Sequence, residues 1–311
     1  MGGPFYGDRA PLSSPGRRAA PGERPRVPEK TRPGAAGPPL PCAPMGPFLR
    51  MRVSLLVGWL ADRRVPTPLR GPVYRTFARF TGANIAEAQM GPRGYASLGA
   101  FFVRRLEVGA RTIDPDPASV ASPCDGRVQA IDRVSAGSIL QAKGRPYRLA
   151  ELLGSQPGKE ALEGALAITI YLGPSDYHRV HSPVDADLDE VRWIPGDRRS
   201  VAAGVVDRID RVFSTNERAV LRLSGPAGPF YLVMVGALNV GRIRVVGVEP
   251  GATPRKRRSF AKGEELARFE MGSTVVLVFP AGTVEPDPRL ALGTRLRLGE
   301  RIGTLAVGSP L

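Results

Sequence analysis

The sequence predicts an α+β fold, mainly an antiparallel β sandwich or barrel core preceded by amphipathic helices. Two observations predict it. From about residue 120 the chain alternates short apolar runs with Gly, Pro and Asp, the pattern of many short strands joined by turns. Ahead of that, residues 49 to 106 space their apolar side chains as helices do. The apolar share, 42% of 311 residues, is enough for a core, in one large domain or two small ones.

Residues 1–48 are rich in Pro, Gly and Arg and poor in aromatic and β-branched side chains. Such a segment buries too little apolar surface to offset chain entropy, so a disordered tail is expected. It lacks the continuous apolar stretch of a secretory leader, and Met45 or Met51 is an alternative start.

Residues 49–110 are expected to be helical. Leu49 to Arg63 holds Val53, Leu55, Leu56, Val57, Trp59 and Leu60, flanked by Arg50, Arg52, Arg63 and Arg64. This is too short to span a bilayer, and no run of about 18 apolar residues occurs elsewhere. In Val73 to Phe80, a helix puts Val73, Phe77 and Phe80 on one face with Arg75 and Arg79 elsewhere. A third helix is expected over Ser97 to Leu106, with Leu98, Phe101, Phe102 and Leu106 inward. The first two helices either pack on the core or lie in a membrane interface, where each basic residue near anionic lipid adds about 1 kcal/mol.

Residues 111–311 form the β-rich domain. Strands are expected at Gly126 to Val134, Leu166 to Tyr171, Leu188 to Trp193 and Ala219 to Leu223, then at Tyr231 to Ala237, Arg242 to Val248, Thr274 to Phe279 and Ile302 to Val307. Ser122-Pro123-Cys124-Asp125 is echoed by Ser182-Pro183-Val184-Asp185, a hint of internal duplication.

A net charge of +15 and a pI near 10.7 point to an anionic partner, nucleic acid or membrane. The basic residues are scattered or in the tail and no nucleic-acid motif is present, so no nucleic acid is expected. The run Arg255-Lys256-Arg257-Arg258 is either a solvated loop or a contact for lipid headgroups. Two cysteines, Cys42 and Cys124, make no disulfide framework and suit a reducing compartment.

Three stretches carry candidate chemistry. Gly272-Ser273-Thr274 stands at the mouth of the apolar run ending at Phe279, and is either a turn or a reactive bond. A serine hydroxyl attacks only when a base takes its proton. The chain has two histidines, His178 and His181, both within Asp176 to Pro183. They are structural or they are the base; on a strand their spacing puts them on opposite faces. Asp125, in Ser122-Pro123-Cys124-Asp125-Gly126-Arg127-Val128, is either part of a turn or an acid that orients a histidine. A His, His, Cys, Asp metal set is conceivable, but no metal is expected.

In this order, Ser-Pro-Cys-Asp-Gly-Arg-Val, Asp-Tyr-His-Arg-Val-His-Ser-Pro and Met-Gly-Ser-Thr resemble the three motifs of phosphatidylserine decarboxylase proenzymes, over residues 50 to 306. The resemblance implies self-cleavage between Gly272 and Ser273, with Ser273 becoming a pyruvoyl cofactor. Chains 1–272 and 273–311 would remain together as a heterodimer. Asp125, His181 and Ser273 would form the processing triad, and His178 would act in decarboxylation. The implied reaction converts phosphatidylserine to phosphatidylethanolamine; a related serine phospholipid such as archaetidylserine is one alternative, and a basic non-enzymatic protein that binds anionic surfaces is a second, more remote one. The implied location is peripheral, on the cytoplasmic side of an anionic cell membrane. Two positions depart from the family pattern: Met271 where Leu is usual, and Asp185-Ala186-Asp187 where a Gly is usual.

Overall fold

The computed structural model describes residues 46–141, 145–155, 162–237, 243–254, 256–270 and 273–306. The expected disordered tail therefore lies almost wholly outside the described residues. Helices α1 (Pro47–Ala61) and α2 (Thr67–Thr81) both begin with Pro in the first turn, where a missing N–H costs nothing. Gly82, with φ 81°, ends α2 in the left-handed conformation. A 3-10 turn, Pro92–Gly94, leads to α3 (Leu98–Phe102), capped by Ser97, whose hydroxyl accepts from the Ala100 N–H at 3.1 Å.

Two helical expectations change. The inward face of α2 is Gly71, Tyr74 and Ala78, while Phe80 is 85% exposed. Tyr74 stacks on Phe101 at 5.2 Å and donates its hydroxyl to the Tyr95 carbonyl at 3.0 Å. A ring whose polar tip finds a partner takes the buried position. Helix α3 stops at Phe102 because the next backbone groups bond elsewhere: Arg105 accepts from Gln89 at 2.8 Å, and Leu106 bridges Ala88.

The β region runs β1 (Ser119–Ala121), β2 (Gly126–Arg133), β3 (Ser138–Leu140), β4 (Pro146–Arg148), α4 (Leu149–Leu153), β5 (Leu166–Leu172), β6 (Arg179–His181) and β7 (Ala186–Ile194). It continues with α5 (Ala203–Val206), α6 (Val212–Thr215), β8 (Arg218–Gly225), β9 (Gly228–Gly236), β10 (Ile243–Val245), β11 (Arg258–Phe260) and β12 (Glu265–Phe269). It closes with β13 (Ser273–Phe279), β14 (Val284–Pro286), β15 (Arg295–Leu296) and β16 (Arg301–Leu305). Eight strands form one open antiparallel sheet in the order β11-β7-β8-β9-β13-β5-β2-β15. Two small sheets, β1-β16-β14 and β10-β12-β6, contribute to the core on one face; the hairpin β3-β4 and helices α4 to α6 cover the other. The result is sandwich-like, with no closed barrel among the described residues.

β13 lies between β9 and β5, with Ser273 opposite Gly236 and Leu172. Val275, Leu277 and Phe279 enter one core while Val276 and Val278 enter the other. Both faces are buried, so the strand is a continuous apolar run rather than an alternating one.

The hinted duplication has a structural counterpart. The Ser122 hydroxyl donates to the Cys124 carbonyl at 2.8 Å, and that of Ser182 to Val184 at 2.7 Å. Asp125 accepts from the Leu298 N–H at 2.8 Å, and Asp185 from the Lys262 N–H at 2.7 Å. Ala121 donates to Pro183 at 2.9 Å and His181 to Pro123 at 2.8 Å, so each arm supports the other. In the second arm Ala186 opens β7 against Phe260, which is how the Asp185-Ala186-Asp187 segment is accommodated.

Candidate active site

Ser273 is fully buried, and its hydroxyl has no hydrogen-bond partner; the Thr274 hydroxyl is in the same state. Buried hydroxyls usually find a partner, so a pair with none among the described residues, at the mouth of the central strand, makes this a candidate site. Met271 and Gly272, the other side of the expected reactive bond, lie outside the described residues.

His178 approaches the same end of the sheet. Its ring bonds through Nε2 to the Gly173 carbonyl at 2.9 Å, one residue past Leu172, the strand partner of Ser273. Its own carbonyl accepts from Phe269 N–H at 3.0 Å, where β12 ends before the Met271-Gly272 segment. The ring lies on Phe102, centroids 4.0 Å apart. A carbonyl accepts only, so Nε2 carries the proton and Nδ1 presents a bare lone pair, buried and without a partner among the described residues. Burial, aided by the nearby Arg104 charge, pushes the imidazole down to about 3. It is a neutral acceptor at physiological pH.

His181 is held differently. Nδ1 bonds to the Gly263 carbonyl at 2.8 Å and Nε2 meets the Tyr177 hydroxyl at 3.2 Å. The carbonyl fixes the proton on Nδ1, leaving Nε2 to accept. Gly263 has φ 81°, and a Cβ there would stand 2.7 Å from Ile113, so the anchoring turn requires glycine. Burial lowers the His181 imidazole, opposed by its bond to Gly263 and by the charges of Glu265 and Asp125. Burial pushes the Tyr177 phenol up to about 12, so it stays a donor.

Asp125 accepts from Arg111 Nε at 2.9 Å and Nη2 at 2.5 Å, and from Leu298 N–H. Arg111 also holds Glu87 at 2.9 Å. No hydrogen bond joins Asp125 to His181 or His181 to Ser273 among the described residues. The tautomer control that sequence reasoning gave to Asp125 is exercised by Gly263, while the Asp125 charge is felt at both imidazoles. Gly126 brings this arm onto β5: a Cβ there would be 2.6 Å from the Tyr171 carbonyl. Cys124 is buried and its thiol is pushed up by desolvation, so it stays protonated.

Sequence reasoning missed Tyr177, Gly263, Arg111 and Arg104. Tyr177 sat inside the histidine motif and gave a local signal; the others come from distant positions and gave none.

A family model described as phosphatidylserine decarboxylase matches residues 98–304. The phosphatidylserine decarboxylase proenzyme of Marinobacter nauticus is 38% identical over 272 residues, covering 83% of this chain and 95% of that protein. The corresponding proenzyme of an Anaeromyxobacter species is 40% identical over 266 residues, 82% and 94% of the two chains. That of Coxiella burnetii is 35% identical over 268 residues, again 82% and 94%. The family model and these relatives converge: the chain belongs to the phosphatidylserine decarboxylase family.

Proposed function

We propose that the chain cuts itself between Gly272 and Ser273 and then, as a carboxy-lyase, converts phosphatidylserine to phosphatidylethanolamine. The observation that carries this reading is the buried, unpartnered hydroxyl of Ser273 at the mouth of the central strand. With Nδ1–H anchored on Gly263, His181 Nε2 is the nitrogen that takes the Ser273 proton. Asp125 supports that base through its charge. The Ser273 oxygen attacks the Gly272 carbonyl; the amide becomes an ester on Oγ and the amine is freed. Loss of the Ser273 α-proton breaks the Cβ–O bond, and the upstream chain leaves as a carboxylate. Water then replaces the nitrogen, ammonia departs, and residue 273 is left as a pyruvoyl group.

The residues present fit that group, since the hydroxyl that is lost holds no other structure together. Once formed, it supplies the carbonyl that takes up the electron pair left when carbon dioxide departs. His178 manages the proton. Its bare Nδ1 accepts a hydrogen bond from the substrate amine, and a proton passed along that bond goes to the α-carbon after decarboxylation.

Helices α1 and α2 supply the contact with an anionic membrane, on its cytoplasmic side. Leu55, Leu56, Trp59, Leu60 and Phe80 are all more than half exposed, and Arg52, Arg63, Arg64, Arg75 and Arg79 lie in or beside the same two helices. No helix among the described residues is long and apolar enough to cross a membrane. Residues 49–110 thus bring the enzyme to its lipid, and residues 111–311 carry the chemistry. Purified protein mixed with phosphatidylserine micelles should release carbon dioxide and phosphatidylethanolamine in equal amounts. Fully cleaved protein that makes neither would refute the activity.

A further inference from the structure

We propose that Arg104 is the substrate-binding residue that holds the phosphodiester of the lipid headgroup; this rests on the activity above. Arg104 follows α3 and is only 3% exposed. One nitrogen, Nη2, donates to the Ser175 carbonyl at 3.2 Å, and the guanidinium lies 5.3 Å from the Phe101 ring centre. Nε and Nη1, which between them carry three N–H donors, are buried with no partner among the described residues. A buried guanidinium left in this state is costly, and it does not shed its proton to escape the cost.

The nearby carboxylates do not relieve it. Asp125 and Glu87 are near enough for their charges to act on Arg104, yet both are hydrogen-bonded by Arg111. Arg104 therefore presents a charged fork with open donors and no bonded counter-ion. Its charge also reaches His178, whose ring lies on Phe102, two residues earlier in the chain. The open donors and the bare Nδ1 of His178 belong to one buried neighbourhood.

The headgroup offers two anions, the serine carboxylate and the phosphodiester, and the chemistry selects between them. The carboxylate loses its charge as carbon dioxide leaves. An arginine on it would stabilise the ground state more than the transition state and slow the step. The phosphodiester keeps its charge throughout, so holding it adds binding without taxing the reaction. A planar fork suits two phosphate oxygens.

The test compares wild type, Arg104→Gln and Arg104→Lys, each first checked for cleavage on a denaturing gel. Both variants should cleave. In Arg104→Gln, KM for phosphatidylserine should rise about 10- to 100-fold with kcat within about threefold. Arg104→Lys should fall between, because it restores charge without the fork. Calorimetry then titrates the mature proteins with glycerophosphoglycerol, which has the phosphodiester alone, and O-methylserine, which has the amine and carboxylate alone. Glycerophosphoglycerol affinity should fall as KM rises, with O-methylserine unaffected. The reverse pattern would assign Arg104 to the carboxylate and overturn the proposal. So would an unchanged KM, or failure of both variants to cleave, which would place Arg104 in processing. Binding is read without turnover, so a wild type inactive on phosphatidylserine would count against the activity and leave this assignment still measurable.

Discussion

His178 and His181 stand three residues apart, yet their neighbours give them opposite tautomers. His178 carries its proton on Nε2 toward Gly173, and His181 carries its own on Nδ1 toward Gly263. The proposed division of labour follows. His181→Ala should remain a single chain. His178→Ala should cleave but release carbon dioxide about 10²- to 10⁴-fold more slowly, the usual worth of a positioned proton carrier. Cleavage and carbon dioxide are read from the same sample; normal maturation of His181→Ala beside a single-chain His178→Ala would reverse the roles. The same variant reports on acid stability. His178 is depressed from 6.5 to about 3, so the unfolded chain binds a proton that the folded chain refuses. Its contribution to stability is intact above pH 6.5 and is lost as pH falls toward about 3. The wild-type fall over that window should be steeper than that of His178→Ala, and equal slopes would mean that the ring is not buried neutral. The side chains proposed to carry the chemistry were legible in the sequence because three short motifs contain them. Their partners were not: Gly263 lies 82 positions from His181 and Arg111 14 from Asp125, separations at which periodicity and motif spacing are silent.

At the scale of elements, all eight expected strands are present, because each holds a run of β-branched or apolar residues long enough to register. Eight others, β1, β3, β4, β6, β11, β12, β14 and β15, escaped notice, and β6, β11 and β12 show why. Arg179–His181 and Arg258–Phe260 are three residues each, and Glu265–Phe269 carries Glu265 and Arg268, so none has a strand's apolar pattern. They become strands through their partners, β12 binding both β6 and β10. The turn of α2 about its axis has a functional corollary. Phe77 packs edge-on against Phe101 at 6.0 Å, while Phe80 and Leu56 face outward. The double variant Phe80→Asp with Leu56→Asp should fold, cleave normally and decarboxylate substrate in detergent, but leave anionic vesicles in a flotation assay. If it floats with the vesicles as wild type does, these helices are not the membrane contact. Phe77→Asp should instead lose about 1–3 kcal/mol of stability, measured by denaturant unfolding.

Over the whole molecule, one open sheet would let the chain stay whole after the proposed cut near its C-terminus. β13 keeps a full antiparallel ladder to β5 and another to β9, and neither depends on the bond before Ser273. The segment from Ser273 onward also supplies β16, which pairs with β1 and carries β14 on its other edge, and β15, which pairs with β2. Separating the two products would expose these strands and both apolar faces of β13, so the pair should co-purify until denatured. Denaturing mass spectrometry of the purified protein tests the central claim most directly. The account predicts two chains that part between Gly272 and Ser273, the smaller beginning with a blocked pyruvoyl residue, and a single uncleaved chain for Ser273→Ala. One intact chain from active wild-type protein, or two chains of normal size from Ser273→Ala, would contradict it.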